Sequence, residues 1–310
     1  MNILYVSRSH AGQTNPFVIE QASCVEKYHP IKVSHYFIEN GIRGYIKTIF
    51  AIPKLVKQKK IDLVHVHNGL SAFFVILSKL LLLRSMKVVA TFHGSDLNEK
   101  SKRGYSLIAA KYASYSIVVS KKMSRFLAFK HSVIPCGIDV DIELIHRDTI
   151  RTRLGWGDQD FVILFSSNFS RKEKDPGFAF KVVEEFSLKS DCNVKFIELK
   201  GYTRTQLTQI MQGADALILC SVMEGSPQVI KEAIINTLPV VANDVGDVAE
   251  ICEGVDNCYV VEKTIDAYVD RLGEISAKQL RIKNRQPVIN NYDNKIISNY
   301  LYKIYQLVLK

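Results

Sequence analysis

The sequence predicts an α/β protein built from two doubly wound parallel-sheet domains, and three observations predict it. The chain has 310 residues, more than one ordinary α/β domain uses and enough for two of about 150 each. Short runs of Val, Ile and Leu recur along it, continuous rather than alternating, the mark of strands covered on both faces. Segments with apolar residues at helical spacing separate these runs, as the crossovers of parallel strands require.

Taken in order, the first half offers strands at 3–6, 33–37, 62–67, 87–92, 116–119 and 132–135, with helices at 17–28 and 104–114 among them. The stretch 139–160 has scattered charges, Gly155, Gly157 and no strong apolar run, so it reads as the connection between domains. The strand series restarts at 161–166 and continues at 194–199, 216–220, 239–242 and 258–261, with helices at 177–188 and 229–236. At the end, 292–310 repeats Ile296-Ile297, Tyr300-Leu301, Ile304-Tyr305 and Leu307-Val308, one apolar helix face. Domains of 1–150 and 151–291 are therefore expected, with the last helix, 292–310, packing back on the first.

With 47% hydrophobic and 23% charged residues, the chain has material for two cores. Its start enters a strand directly, so no signal peptide is expected. The most apolar window, 72–83, is interrupted by Lys79 and is shorter than the roughly 20 residues a membrane span needs, so it reads as a buried helix. Six cysteines show no CxxC pair and no metal-ligand spacing, which points to free thiols in a reducing cytosol.

The charge is lopsided: residues 1–150 carry 21 Lys+Arg against 10 Asp+Glu, and the remainder 20 against 21. Such a field suits nucleic acid, an anionic membrane or a phosphorylated acceptor, unless it is a solvated surface with no partner. Nucleic acid fits less well, because no stacking-aromatic platform or known nucleic-acid module accompanies the charge. Segment 44–60 sets Ile46, Ile49, Phe50, Pro53, Leu55 and Val56 beside five lysines. It reads first as a crossover helix whose apolar face meets the core. Its lysines can still draw the protein to an anionic bilayer.

The densest chemistry lies between Ala214 and Ala233. A buried strand ends at about Cys220, a loop carries Glu224-Gly225, and a helix should start with Ser226 as N-cap and Pro227 at its first position. The C-terminal edge of an open sheet is where ligands bind, and a helix N-terminus there suits a phosphate. Glu224 and Glu232 can both reach one ligand, and carboxylate acceptors suit sugar or ribose hydroxyls. A structural loop is the plainer alternative.

The run Glu224-Gly225-Ser226-Pro227-Gln228-Val229-Ile230-Lys231-Glu232-Ala233 resembles the Glu-x7-Glu region of family 4 glycosyltransferases, in the branch that builds bacterial surface polysaccharides. Further segments resemble the family in order: 62–71, Thr91-Phe92-His93-Gly94-Ser95-Asp96-Leu97, 133–139, and Phe169-Ser170-Arg171-Lys172-Glu173-Lys174-Asp175. The resemblance covers nearly the whole chain and implies the GT-B architecture, two Rossmann-like domains facing across a cleft.

It also implies roles. Arg171 and Lys174 resemble the pair that neutralises the donor diphosphate, a bidentate fork and a point charge that can stabilise a nucleotide leaving group without a metal. Glu232 resembles the ribose ligand. Glu224 resembles the carboxylate that holds hydroxyls of the transferred sugar, with Gly225 and Ser226 beside it. His93 resembles the active-site histidine, placed to orient a hydroxyl or help its proton leave. The loop after the first strand approaches the donor phosphate in the family; here Gly12 is its only glycine, and Pro16 stands where a small residue is usual. That loop is not G-x-G-x-x-G, so a nicotinamide or flavin role is disfavoured. His65 and His67 share one strand face; His65 reads as packing and His67 as a cleft residue.

The resemblance thus implies a retaining, metal-independent transferase with no cofactor, taking a nucleotide-diphosphate sugar as co-substrate and a lipid-linked glycan as acceptor. The expected location is cytoplasmic, peripheral on the membrane's inner face. Two rivals remain. A nucleotide-sugar 2-epimerase shares the architecture but needs acid/base carboxylates in the first domain, where only Asp96 is a candidate. A non-catalytic nucleotide-sugar or polysaccharide-binding protein would have no need of all of Arg171, Lys174, Glu224, Glu232 and His93.

Overall fold

The computed structural model describes residues 1–9, 16–82 and 85–310. Within these, the strands form two sheets in which every pairing is parallel. The first contains β1 (Asn2–Arg8), β2 (Lys32–Ile38), β3 (Leu63–His67), β4 (Val88–Phe92), β5 (Tyr115–Val118) and β6 (His131–Val133), in the order β2-β1-β3-β4-β5-β6. The second contains β7 (Asp160–Phe165), β8 (Asn193–Glu198), β9 (Ala216–Leu219), β10 (Val240–Asn243) and β11 (Cys258–Val261), in the order β11-β10-β9-β7-β8. Each expected strand is present within a few residues. The continuous apolar runs explain this: β3, β4, β5, β9 and β10 are buried along their whole length.

The chain divides into two compact units, Met1–Gly137 with Asn294–Lys310, and Ile138–Asp293. The first unit therefore ends before the expected residue 150. The reason is that the segment after Gly137 is anchored in the second unit. Ile138 joins its core and donates its N–H to the Tyr292 carbonyl at 2.9 Å. The Ile145 N–H reaches Gln212 at 3.0 Å, and Arg147 and Arg151 both pair with Asp215.

The helix Asn294–Leu309 returns to the first unit, where it buries Ile297, Leu301, Ile304, Tyr305 and Val308 in that core. The Tyr305 hydroxyl hydrogen-bonds Tyr5 and His65, each at 2.7 Å. The helix Ile42–Gln58 turns Tyr45, Ile49 and Ile52 inward and leaves Ile42, Ile46 and Phe50 exposed. Among the described residues no helix is long and apolar enough to cross a membrane. All six cysteines are free.

Candidate functional site

In the second unit, the candidate residues lie on the loops that follow β7 and β9 and on the helices beyond β8 and β9. The strand order reverses between β7 and β9, and open α/β sheets bind ligands outside the carboxyl ends of their strands at such a point. Arg171 and Lys174 lie in the first of these two loops and Glu224 in the second. The loops are tied together by the Val222 N–H, which donates to the Glu173 carbonyl at 3.0 Å.

Lys174 and Glu224 form an ion pair across 50 residues of sequence, with only 9% and 10% of their side chains exposed. The same carboxylate oxygen accepts from the Ser221 hydroxyl at 2.6 Å. A cation and a carboxylate are thus buried together, each compensating the burial of the other. Arg171 is half exposed at the rim. Its guanidinium pairs with Glu173 at 2.8 Å and its Nη1 approaches the Ser167 hydroxyl at 3.4 Å. Arg171 and Lys174 are therefore not equivalent: one is an interior charge already matched, the other a surface fork.

Ser226 is not the N-cap. The helix is Gln228–Ile235, with Pro227 at the cap position and no side-chain cap. The Ser226 hydroxyl donates instead to Asp247 Oδ2 at 2.6 Å, and Lys231 Nζ donates to the hydroxyl at 2.5 Å. A buried ammonium and a buried carboxylate hold it more strongly than a helix end does. Glu232 pairs with Arg204, the first residue of the helix Arg204–Gly213. Thr203 and Gln206 close a capping box there, which fixes where Arg204 starts. The box is legible in sequence, but its neighbour's partner lies 28 residues on, and nothing local announces it.

In the first unit, His93 follows β4 and His67 ends β3. Their rings stack with centroids 5.3 Å apart, and His67 Nδ1 lies 3.1 Å from His93 Nε2. Cys136 Sγ stands 3.8 Å from His93 Nδ1. His67 is 2% exposed, so it is a buried residue and not the cleft residue expected. Its Nε2 has no hydrogen-bond partner among the described residues. Burial lowers the pKa of both rings and pushes His65 down to about 3, so all three are neutral at pH 7.

Asp96, 1% exposed, accepts the backbone N–H groups of Gly69, His93 and Gly94 at 2.9–3.1 Å. It locks two turns, which is a different task from the acid/base work an epimerase would ask of it. Gly12 lies outside the described residues. Among the described residues, no three His, Cys, Asp or Glu side chains group as metal ligands.

Residues 7–142 match Glycosyltransferase Family 4, and residues 161–278 match Glycosyl transferases group 1. The glycosyltransferase TuaC of Bacillus subtilis strain 168, assigned to teichuronic acid biosynthesis, is 26% identical over 264 residues, covering 74% of this chain and 66% of TuaC. An Escherichia coli UDP-Gal:alpha-D-GlcNAc-diphosphoundecaprenol alpha-1,3-galactosyltransferase is 23% identical over 303 residues, covering 82% of this chain and 76% of its own. Among solved structures, a sucrose-phosphate synthase from Thermosynechococcus elongatus superposes with a TM-score of 0.78 at 16% identity, covering 99% of this chain and 98% of that one. Both sheets and their order thus follow the GT-B fold.

Proposed function

Because this chain belongs to glycosyltransferase family 4, we propose that it is a retaining, metal-independent hexosyltransferase of surface polysaccharide synthesis. Its donor is a nucleotide-diphosphate sugar and its acceptor a hydroxyl of a lipid-linked glycan. The observation that carries this reading is the Lys174–Glu224 pair at the point where the second sheet reverses its strand order. It sets a phosphate-binding cation against a sugar-hydroxyl acceptor, the two halves of a sugar diphosphate.

In this reading Arg171 closes on the diphosphate from the rim, and with Lys174 it supplies the charge that a divalent ion would otherwise bring to the leaving group. Glu232 takes the ribose hydroxyls, with Arg204 holding its carboxylate in place. Glu224 and the Gly225-Ser226 turn take the transferred sugar. The bond between the anomeric carbon and the phosphate oxygen breaks, and the acceptor oxygen bonds to that carbon on the same face. The acceptor proton passes to the departing phosphate, and a nucleoside diphosphate leaves. His93, held neutral by burial, serves on the acceptor side by hydrogen bonding and orientation rather than as a charge.

Three helices of the first unit support a membrane-bound acceptor. Ile42, Ile46 and Phe50 form an exposed stripe on Ile42–Gln58 beside exposed Arg43, Lys47, Lys54 and Lys57. The helix packed against it, Gly69–Leu82, ends on exposed Leu80, Leu81 and Leu82. The next, Lys100–Tyr112, exposes Tyr105, Ile108 and Tyr112. Apolar side chains among lysines suit an anionic lipid surface, each lysine near it contributing roughly 1 kcal/mol. In this reading the protein attaches peripherally to the inner leaflet.

Thermal-shift titration with a panel of nucleotide sugars tests the donor site. At least one should raise the Tm of the wild type and raise that of Glu232→Ala by clearly less. A panel in which no compound separates the two proteins removes the assignment.

A further inference from the structure

Lys231 is fully buried, with no exposed surface. It sits one residue before Glu232 on the helix Gln228–Ile235 and points the other way, inward. Its ammonium donates to Ser226 Oγ at 2.5 Å, lies 4.0 Å from Asp247 Oδ2, and covers the Tyr292 ring at 4.3 Å from the centroid. The Ser226 hydroxyl in turn donates to the same Asp247 oxygen at 2.6 Å.

The backbone repeats the connection. The Asp247 N–H donates to the Gly225 carbonyl at 3.2 Å. Gly246, at φ 58, packs so closely that a Cβ there would meet that carbonyl oxygen at 2.4 Å. The other end of the loop is tied by Asn243 Nδ2, which donates to the Ser221 carbonyl at 3.0 Å. The segment 221–226 is therefore clamped at one end by the last residue of β10 and at the other by the turn after it, and Lys231 and Asp247 close the end that holds Gly225 and Ser226.

Stability alone gives no reason for this arrangement. Burying a lysine and an aspartate carries a desolvation penalty that well-packed apolar residues of similar volume avoid. Among the described residues the second carboxylate oxygen of Asp247 is buried with no hydrogen-bond partner, a further cost. What the cluster does achieve is a single path for the loop, because Ser226 has two strong partners and they sit on different elements.

We infer that Lys231 and Asp247 are positioning residues that hold the Gly225-Ser226 turn in its ligand-binding shape. The inference rests on the donor-site reading above for what the ligand is. It does not rest on it for the clamp itself. Neither residue touches the reacting atoms; they act through Ser226 and the Gly225 carbonyl.

The test compares the wild type with Lys231→Met and with the double variant Lys231→Met/Asp247→Asn, which leaves no uncompensated buried charge. Hydrogen exchange of the segment 221–227 is followed without ligand, and UDP, GDP and ADP are titrated by calorimetry. The double variant should keep its Tm within about 3 °C or exceed the wild type, since neutral residues remove the burial penalty. Exchange in 221–227 should nevertheless rise several-fold, and the affinity for the nucleotide that binds the wild type should fall tenfold or more. Wild-type exchange and unchanged affinity in the folded double variant would overturn the clamp. If none of the three nucleotides binds the wild type, the donor reading fails, and the exchange comparison alone decides the clamp.

Discussion

His67 and its neighbours give the first unit a specific response to acid. His65, His67 and His93 all sit buried and neutral, His65 pushed down to about 3. In the unfolded chain each takes a proton near pH 6.5. Between about pH 6.5 and pH 3 the unfolded state therefore binds more protons than the folded one, and stability rises with pH over that range. The contribution is fully present above 6.5 and is lost as pH falls below it. Thermal unfolding of the first unit should come several degrees lower at pH 5 than at pH 7.5, and His67→Phe should flatten that dependence. His67 is the residue to change because its ring packs against both of the other imidazoles. A slope identical in the variant would locate the acid response elsewhere.

At the scale of the element, the helix Ile42–Gln58 divides its apolar residues between two surfaces. Tyr45, Ile49 and Ile52 are buried, while Ile42, Ile46 and Phe50 recur every fourth residue on the outside. One full turn is 3.6 residues, so a stripe at i, i+4, i+8 drifts only slowly around the axis and remains one surface. Sequence periodicity reads this helix as core-facing with a basic back; it does not show that the back is also apolar. Ile46→Ser/Phe50→Ser should leave urea stability nearly unchanged, since neither side chain is in the core. The same variant should pellet markedly less with vesicles containing anionic lipid, and neutral vesicles should recover little of either protein. Equal pelleting of variant and wild type would exclude this stripe as the contact.

At the scale of the whole molecule, the order of the chain and the order of the packing part company. The last helix completes the first unit, so residue 305 hydrogen-bonds residues 5 and 65 in one core. Tyr305→Phe keeps the ring and removes the hydroxyl, leaving Tyr5 and His65 each short of a buried partner. A loss on the order of 2 kcal/mol or more is expected, because a buried polar group without its partner costs about 1–3 kcal/mol. Urea unfolding followed by a probe in the first unit measures it, and the second unit should be unaffected. An unchanged midpoint would mean that the His65 imidazole and the Tyr5 hydroxyl find other partners.

The sequence by itself determined the strands, their burial on both faces, the parallel α/β class and the stretch from Glu224 to Glu232. These are local or periodic properties, carried by runs of Val, Ile and Leu and by loop chemistry within about ten residues. What only the tertiary structure decided is who meets whom. Lys174 meets Glu224 across 50 residues, Arg204 meets Glu232 across 28, and Ser226 turns from its helix to Asp247 across 21. The boundary at Gly137 is of the same kind, set by Ile138 and Arg151 finding the second core rather than by composition. Short-range pattern decides which elements form. Which charges end up buried, and beside what, depends on how the elements pack, and no window along the chain contains both partners.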